Sequence, residues 1–143
     1  MKKLLLLILF PAIMFSQSWD IKKDIRKFKI EVALDLTNSV RNHALLEPLA
    51  LSSRLSKIAS SRLDSISIKG EYIASLDDTG EIYWYTNRES KNHFKDAIIG
   101  LIVPGEDNFT YDQIVCSECT EVGFASAIID DKTYTMLVFD KIY

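Results

Sequence analysis

Apolar residues recur along the first third of the chain at intervals of three and four. Ile21, Ile25, Phe28, Val32, Leu36 and Val40 fall on one face of a helix, and Lys22, Lys23, Arg26, Lys27 and Asp35 fall on the other. This spacing predicts a helix from about Trp19 to His43, broken by Glu47-Pro48 because the residue before a proline avoids the α region. A second stripe, Leu55, Ile58, Ala59, Leu63 and Ile66, follows Ser52 and Ser53, either of which suits an N-cap, and Gly70 ends or follows it. A third helix is expected from about Glu89 to Leu101, with Phe94, Ala97, Ile98 and Leu101 on one face.

The connections read as turns. Gly70 to Leu76 is a turn or short extended piece, Asp77-Asp78-Thr79-Gly80 is a turn, and Pro104-Gly105 with Asp107-Asn108 marks a loop. Periodicity does not assign Ile82, Tyr83, Trp84 and Tyr85. These aromatics suit an apolar ligand groove, but a place in the core is the favoured reading. Glu121 to Ile129 and Thr133 to Ile142 are rich in Val, Ile, Thr, Tyr and Phe, and Asp130-Asp131-Lys132 between them predicts a β-hairpin. Gln113 to Val115 is expected to add a third strand. Helices first and strands last imply an α+β fold, an α-β-α sandwich-like arrangement with helices packed on a small antiparallel sheet that ends in the hairpin.

The first residues belong to a different pattern. Lys2 and Lys3 precede an unbroken apolar run from Leu4 to Phe10, extended to Phe15, with small residues at Ser16 and Ser18. That is the plan of a secretory signal peptide, and the run is shorter than the roughly 20 residues that span a bilayer. Residues 1–18 are therefore expected to be removed, leaving 19–143 as a single domain with no transmembrane segment. No cysteine follows the apolar run, so a lipoprotein attachment site is missing. An apolar content of 48% fits a globular chain. Setting aside Lys2 and Lys3 leaves 15 basic against 20 acidic side chains, a net charge of −5. That balance argues against broad binding to nucleic acid or anionic membranes, which needs a basic face.

Cys116 and Cys119 stand in Cys-Ser-Glu-Cys. In an exported chain a short-loop structural disulfide is the favoured reading, with free thiols, a redox dithiol and a zinc half-site as alternatives. A zinc site would need two more ligands, and the two histidines, His43 and His93, lie far off without paired spacing. His43, near the end of the first helix, suits the helix dipole without any further role.

The order of several short motifs is similar to that of CAP-domain proteins of the bacterial SCP-like type. Asn38-x-x-Arg41, Leu45-Leu46-x-Pro48-Leu49 and Leu55-Ser56-x-Ile58-Ala59 resemble the family's Asn-x-x-Arg, Gly-Leu-x-Pro-Leu and Leu-x-x-x-Ala. Gly70-Glu71-Tyr72-Ile73-Ala74 resembles Gly-Glu-Asn-Ile-Ala, Ser90-Lys91-Asn92-His93 resembles Ser-x-x-His, and Glu121 to Ala125 with Tyr134 to Phe139 resembles the closing hairpin. The matches span about residues 30–140. The resemblance implies a cavity of two histidines with one or two acidic residues. Glu71 and His93 match half of that set, the first histidine has no counterpart between Arg62 and Lys69, and Tyr72 replaces the asparagine. Two ligands fall short of the three or four that hold a transition metal, so neither a metal nor another cofactor is expected.

Three residues are therefore the catalytic candidates: Glu71 and His93, which could meet across a cleft for acid–base work, and Ser90, one turn before His93 on the expected helix. No Gly-x-Ser-x-Gly elbow marks Ser90 as a nucleophile, and the plainer reading has Glu71 orienting a loop and His93 on the helix surface. Asn38, Arg41, Cys116 and Cys119 are expected to be structural, with Arg41 half-buried and tying helices together through carboxylates or carbonyls. The resulting expectation is a periplasmic or secreted CAP-like module that binds an unidentified lipid, small apolar ligand or protein without catalysis. The alternative is an extracytoplasmic hydrolase using Glu71 and His93.

Overall fold

The computed structural model describes residues 21–70, 79–86, 91–102 and 109–143. In chain order the elements are α1 (Ile21–His43), β1 (Ala50–Leu51), α2 (Ser53–Lys69), β2 (Gly80–Thr86), α3 (His93–Ile102), α4 (Phe109–Ile114), β3 (Glu121–Ile129) and β4 (Lys132–Phe139). The hairpin predicted from the last third is present. Its two-residue loop, Asp130-Asp131, has φ of 48° and 61°, the two positive values of a type I′ turn, whose twist matches that of the strands. β2 pairs antiparallel with the far side of β4, and β1 pairs parallel with β3, so the sheet has the order β1-β3-β4-β2 and is mixed rather than wholly antiparallel.

Alternate residues of the sheet serve two cores, which makes the fold three-layered. Val122, Phe124, Leu137, Phe139 and Ile82 pack with Phe94, Ile98 and Leu101 of α3 and Ala33 of α1. Ala125, Ile129, Met136 and Val138 on the other face meet Leu55, Ala59, Leu63 and Ile66 of α2. This is the predicted α2 stripe, capped by Ser52, whose Oγ accepts from Leu55 N, and closed by Gly70 at φ 68°. α2 lies so close to β3 that a Cβ at Gly123 would collide with the backbone of Leu55 and Ser56. An ion pair between Arg62 Nε and Glu81 Oε1 at 3.1 Å links α2 to β2.

Three expectations need correction. Residues 113 and 114, read as strand, belong to α4, which ends at Ile114. β4 ends at Phe139, not Ile142. The face of α1 that meets the core is centred on Ala33, Thr37 and Arg41, each at most 1% exposed, whereas Phe28 of the predicted stripe is 65% exposed. Small residues at 33 and 37 let α1 approach the core closely, and the Thr37 hydroxyl is satisfied locally by donating to Ala33 O at 2.8 Å.

α1 stops earlier than Pro48 requires. Leu46 N donates to Arg41 O and Leu45 N to Asn42 O, both at 3.0 Å, which is a Schellman termination with Leu45 at the left-handed position (φ 59°). Here leucine stands where the similar family pattern carries glycine, and it is 94% exposed.

Below this turn lies the Arg41 guanidinium. Its Nε donates to Glu47 O (2.9 Å), Nη1 to Ile114 O (2.9 Å) and Cys116 O (2.8 Å), and Nη2 to Cys119 O (3.2 Å). Burial pushes its pKa below the usual guanidinium value, and the charge of Asp140 opposes that shift. Asn38, one turn earlier, accepts from Leu49 N (2.7 Å) and donates to Leu49 O (3.0 Å). Asp140 closes the same end by accepting from Thr120 N, Thr120 Oγ1 and Glu121 N at 2.9, 2.6 and 3.1 Å. Partial burial works to raise the Asp140 pKa, but these hydrogen bonds outweigh it and hold the carboxyl below its ordinary value.

Three outcomes are expected. Leu45→Gly removes the left-handed strain and loses almost no burial, so it should stabilise by about 0.5–1 kcal/mol in urea unfolding. Arg41→Ala leaves four carbonyls without their donor and should destabilise by about 3 kcal/mol, lowering Tm by roughly 10 °C, with Arg41→Lys intermediate. Because the folded Asp140 carboxyl titrates below the unfolded one, at about 3.9, its stabilisation is complete above that pH and fades as the pH falls through the folded value. Between pH 7 and 3 the urea midpoint of the native protein should therefore fall more than that of Asp140→Asn; equal slopes would contradict the assignment.

Candidate functional site

α3 starts one residue after Asn92, whose Oδ1 accepts from Lys95 N at 3.1 Å and so caps the first turn. The cap fixes His93 as the first helical residue and aims it at the sheet. His93 Nε2 lies 2.7 Å from Ser126 Oγ in the middle of β3, and the hydrogen runs in whichever direction the imidazole tautomer allows. The ring rests against Phe94, centroids 4.5 Å apart, and Phe94 meets Phe124 edge-on at 6.3 Å. Thr135 Oγ1 lies 3.5 Å from His93 O.

These contacts mark a chemical boundary on the α3 face of the sheet. The row Phe124, Leu137, Ile82 is wholly apolar, and the next row across the sheet is Ser126, Thr135, Trp84. Trp84 lies against α3, where a Cβ at Gly100 would come within 2.6 Å of its Cζ2. Next to it on the other face of β2, Tyr85 stacks on Tyr134 at 5.5 Å and carries Lys132 Nζ 5.0 Å from its centroid. Tyr83, Trp84 and Tyr85 are 41%, 39% and 51% exposed, which corrects their expected place in the core. The reason is their position on β2, an outer strand, from which successive side chains leave on opposite faces.

Of the residues chosen from the sequence, His93 is partly buried and engaged by Ser126 rather than lying open on the helix surface. Glu71 and Ser90 lie outside the described residues, as do the expectations on residues 1–18 and on the loop at 103–108. His43 is exposed in the last turn of α1. Asn38 and Arg41 make the backbone bonds described above, and Cys116 and Cys119 form a disulfide. Among the described residues, no group of three His, Cys, Asp or Glu side chains could hold a metal ion. Sequence reasoning missed Ser126, Gln113 and Asp140. Ser126 had one signal, a polar residue at a period-two position between Phe124 and Ile128.

The geometry can be set beside known proteins. The chain resembles, by fold, the hookworm platelet inhibitor (12% identity, TM-score 0.64, 82% of this chain and 70% of that one). It also resembles an outer surface protein from Borrelia burgdorferi (13%, TM-score 0.59, 87% and 96%). A third likeness is a cysteine-rich secretory protein from Staphylococcus aureus (16%, TM-score 0.55, 78% and 38%). Among curated proteins, none matches the sequence. The family model of the cysteine-rich secretory proteins, CAP, matches residues 34–140. By that match, which takes in the Asn38–Arg41 turn, both cores and the His93–Ser126 contact, the chain belongs to the CAP family.

Proposed function

We propose that the protein is an exported, non-enzymatic CAP module that binds an apolar ligand or a partner chain outside the cytoplasm. The observation that carries this reading is the exposure of three consecutive aromatic side chains on β2, Trp84 within the row where the α3 face turns from apolar to polar and Tyr83 and Tyr85 on the opposite face. Tyrosine and tryptophan combine large contact area with a polar tip and lose little conformational entropy on binding, which suits them to recognition surfaces. His93 is already bonded to a strand hydroxyl, an arrangement that serves as a polar rim to such a surface. Export is supported by the basic-then-apolar-then-small pattern of residues 1–18 and by a cysteine pair that forms a disulfide. No helix among the described residues is long and apolar enough to cross a membrane. The names of two structural neighbours, a platelet inhibitor and an outer surface protein, also place those proteins at work outside cells.

Titration with a fluorescent long-chain fatty acid and with anilinonaphthalene sulfonate tests the reading. Binding to the native protein should weaken at least about tenfold in Trp84→Ala, about 1.4 kcal/mol, read at a temperature where circular dichroism shows the variant still folded, because Trp84 also packs on α3. Affinity that survives Trp84→Ala would place the surface elsewhere. Ester or peptide hydrolysis that disappears in His93→Ala or Ser126→Ala would overturn the non-enzymatic reading.

A further inference from the structure

Cys116 and Cys119, three residues apart, join the end of α4 to the start of β3 and are only 2% and 3% exposed. The segment that follows β4 lies over them. Cys119 Sγ is 3.3 Å from Lys141 O, and Gln113 Nε2 donates to that same carbonyl at 2.9 Å while lying 3.5 Å from the sulfur. Gln113 Oε1 accepts from Tyr143 N at 2.9 Å. A single amide side chain, 0% exposed, thus grips both ends of Lys141–Tyr143, whereas Ile142 and Tyr143 are 57% and 66% exposed. Lys141 Nζ also lies 3.7 Å from the exposed Glu118 carboxylate, a surface pair that adds little. A segment with exposed side chains, held by two bonds to one residue and one surface ion pair, opens far more cheaply than the core on which it lies.

We propose that Lys141–Tyr143 is a latch over the Cys116–Cys119 disulfide. Closed, it keeps external thiolates from the Cys119 sulfur; open, it admits them, which makes the bond's redox exchange a gated property of the fold. The exchange partner is a dithiol. Its thiolate attacks Cys119 Sγ, the bond between Cys119 and Cys116 breaks, and the Cys116 sulfur leaves as a thiolate and takes a proton. The reductant's second thiolate then displaces Cys119, which takes a proton, and the reductant departs as its own disulfide. Two electrons pass to the protein. The new Cys119 thiol has the Lys141 carbonyl within reach as an acceptor, so the closed latch accommodates the reduced state as well. The exposed Ser117 and Glu118 between the cysteines offer the competing route, in which the small loop opens by itself.

The test measures reduction of the oxidised full-length chain by dithiothreitol at fixed pH, quenched by alkylation and counted by mass. A chain ending at Asp140 and the near-isosteric Gln113→Leu should each be reduced at least roughly tenfold faster than the native protein, the amount a lost protective closure supplies. Ser52→Ala, which weakens the cap of α2 and touches none of the Gln113–Lys141–Tyr143 bonds, serves as the control for general destabilisation and should leave the rate unchanged. Equal rates in the shortened and native chains would overturn the latch in favour of loop opening. An acceleration in Ser52→Ala as large as in the latch variants would overturn it in favour of global unfolding. If Gln113→Leu does not fold, the shortened chain decides the matter alone.

Discussion

A guanidinium withdrawn from water has to be surrounded by acceptors, because a buried charge without partners costs several kcal/mol. Arg41, 1% exposed, meets that requirement with four backbone carbonyls and, among the described residues, no carboxylate ion pair. The same requirement holds from the other side. Ile114 O ends α4, Cys116 O and Cys119 O belong to the stretch between α4 and β3 that has no strand ladder to satisfy it, and Glu47 O belongs to the loop after α1. One rigid fork of donors replaces the missing secondary structure for both stretches. Asn38, one turn back on α1, does for Leu49 what a neighbouring strand would do, giving and receiving one bond. Two side chains of one helix thereby set the path of residues 47–49, and β1 enters its pairing with β3 from there.

How much of this can be read from sequence depends on whether the burying face is made of apolar residues. α2 satisfies the condition. Leu55, Ala59, Leu63 and Ile66 are both its apolar stripe and its buried face. α1 does not, since its contact face is Ala33, Thr37 and Arg41, a set that no hydrophobicity pattern selects, and the more apolar stripe through Phe28 turns partly to solvent. The short run at Gln113–Val115 has the composition of a strand, and only its place after Phe109 and against Gly80 makes it the end of a helix. The hairpin was legible because β-branched alternation and an Asp-Asp loop agree.

The site was legible only in part, for a similar reason. His93 stood out as one of two histidines and through its Ser-x-x-His setting, but Ser126 comes to it across 33 positions of sequence, by way of a helix cap and a strand register. No local pattern encodes that meeting. The aromatic run was visible as composition, and what sequence could not supply was its place on an outer strand, where two faces share it and neither core absorbs it.

The two ends of the sheet are therefore built on different principles. At the end where β3 starts and β4 finishes, Val122 and Phe139 are wholly buried in one core with Cys116 and Cys119, and the backbone is tied down by the hydrogen bonds of Arg41 and Asp140 and by the disulfide. Toward the hairpin the α3 face passes through the Ser126–Thr135–Trp84 row to Ile128, which is 69% exposed. Large side chains left half in water are apolar surface not already spent on folding, which is the kind of surface the proposed binding would draw on. An end fixed by a buried arginine can hold its strands in register without help from the other end. That leaves the hairpin end of the sheet, with its half-exposed aromatic residues and its imidazole–hydroxyl pair, without a part in holding the strands in register.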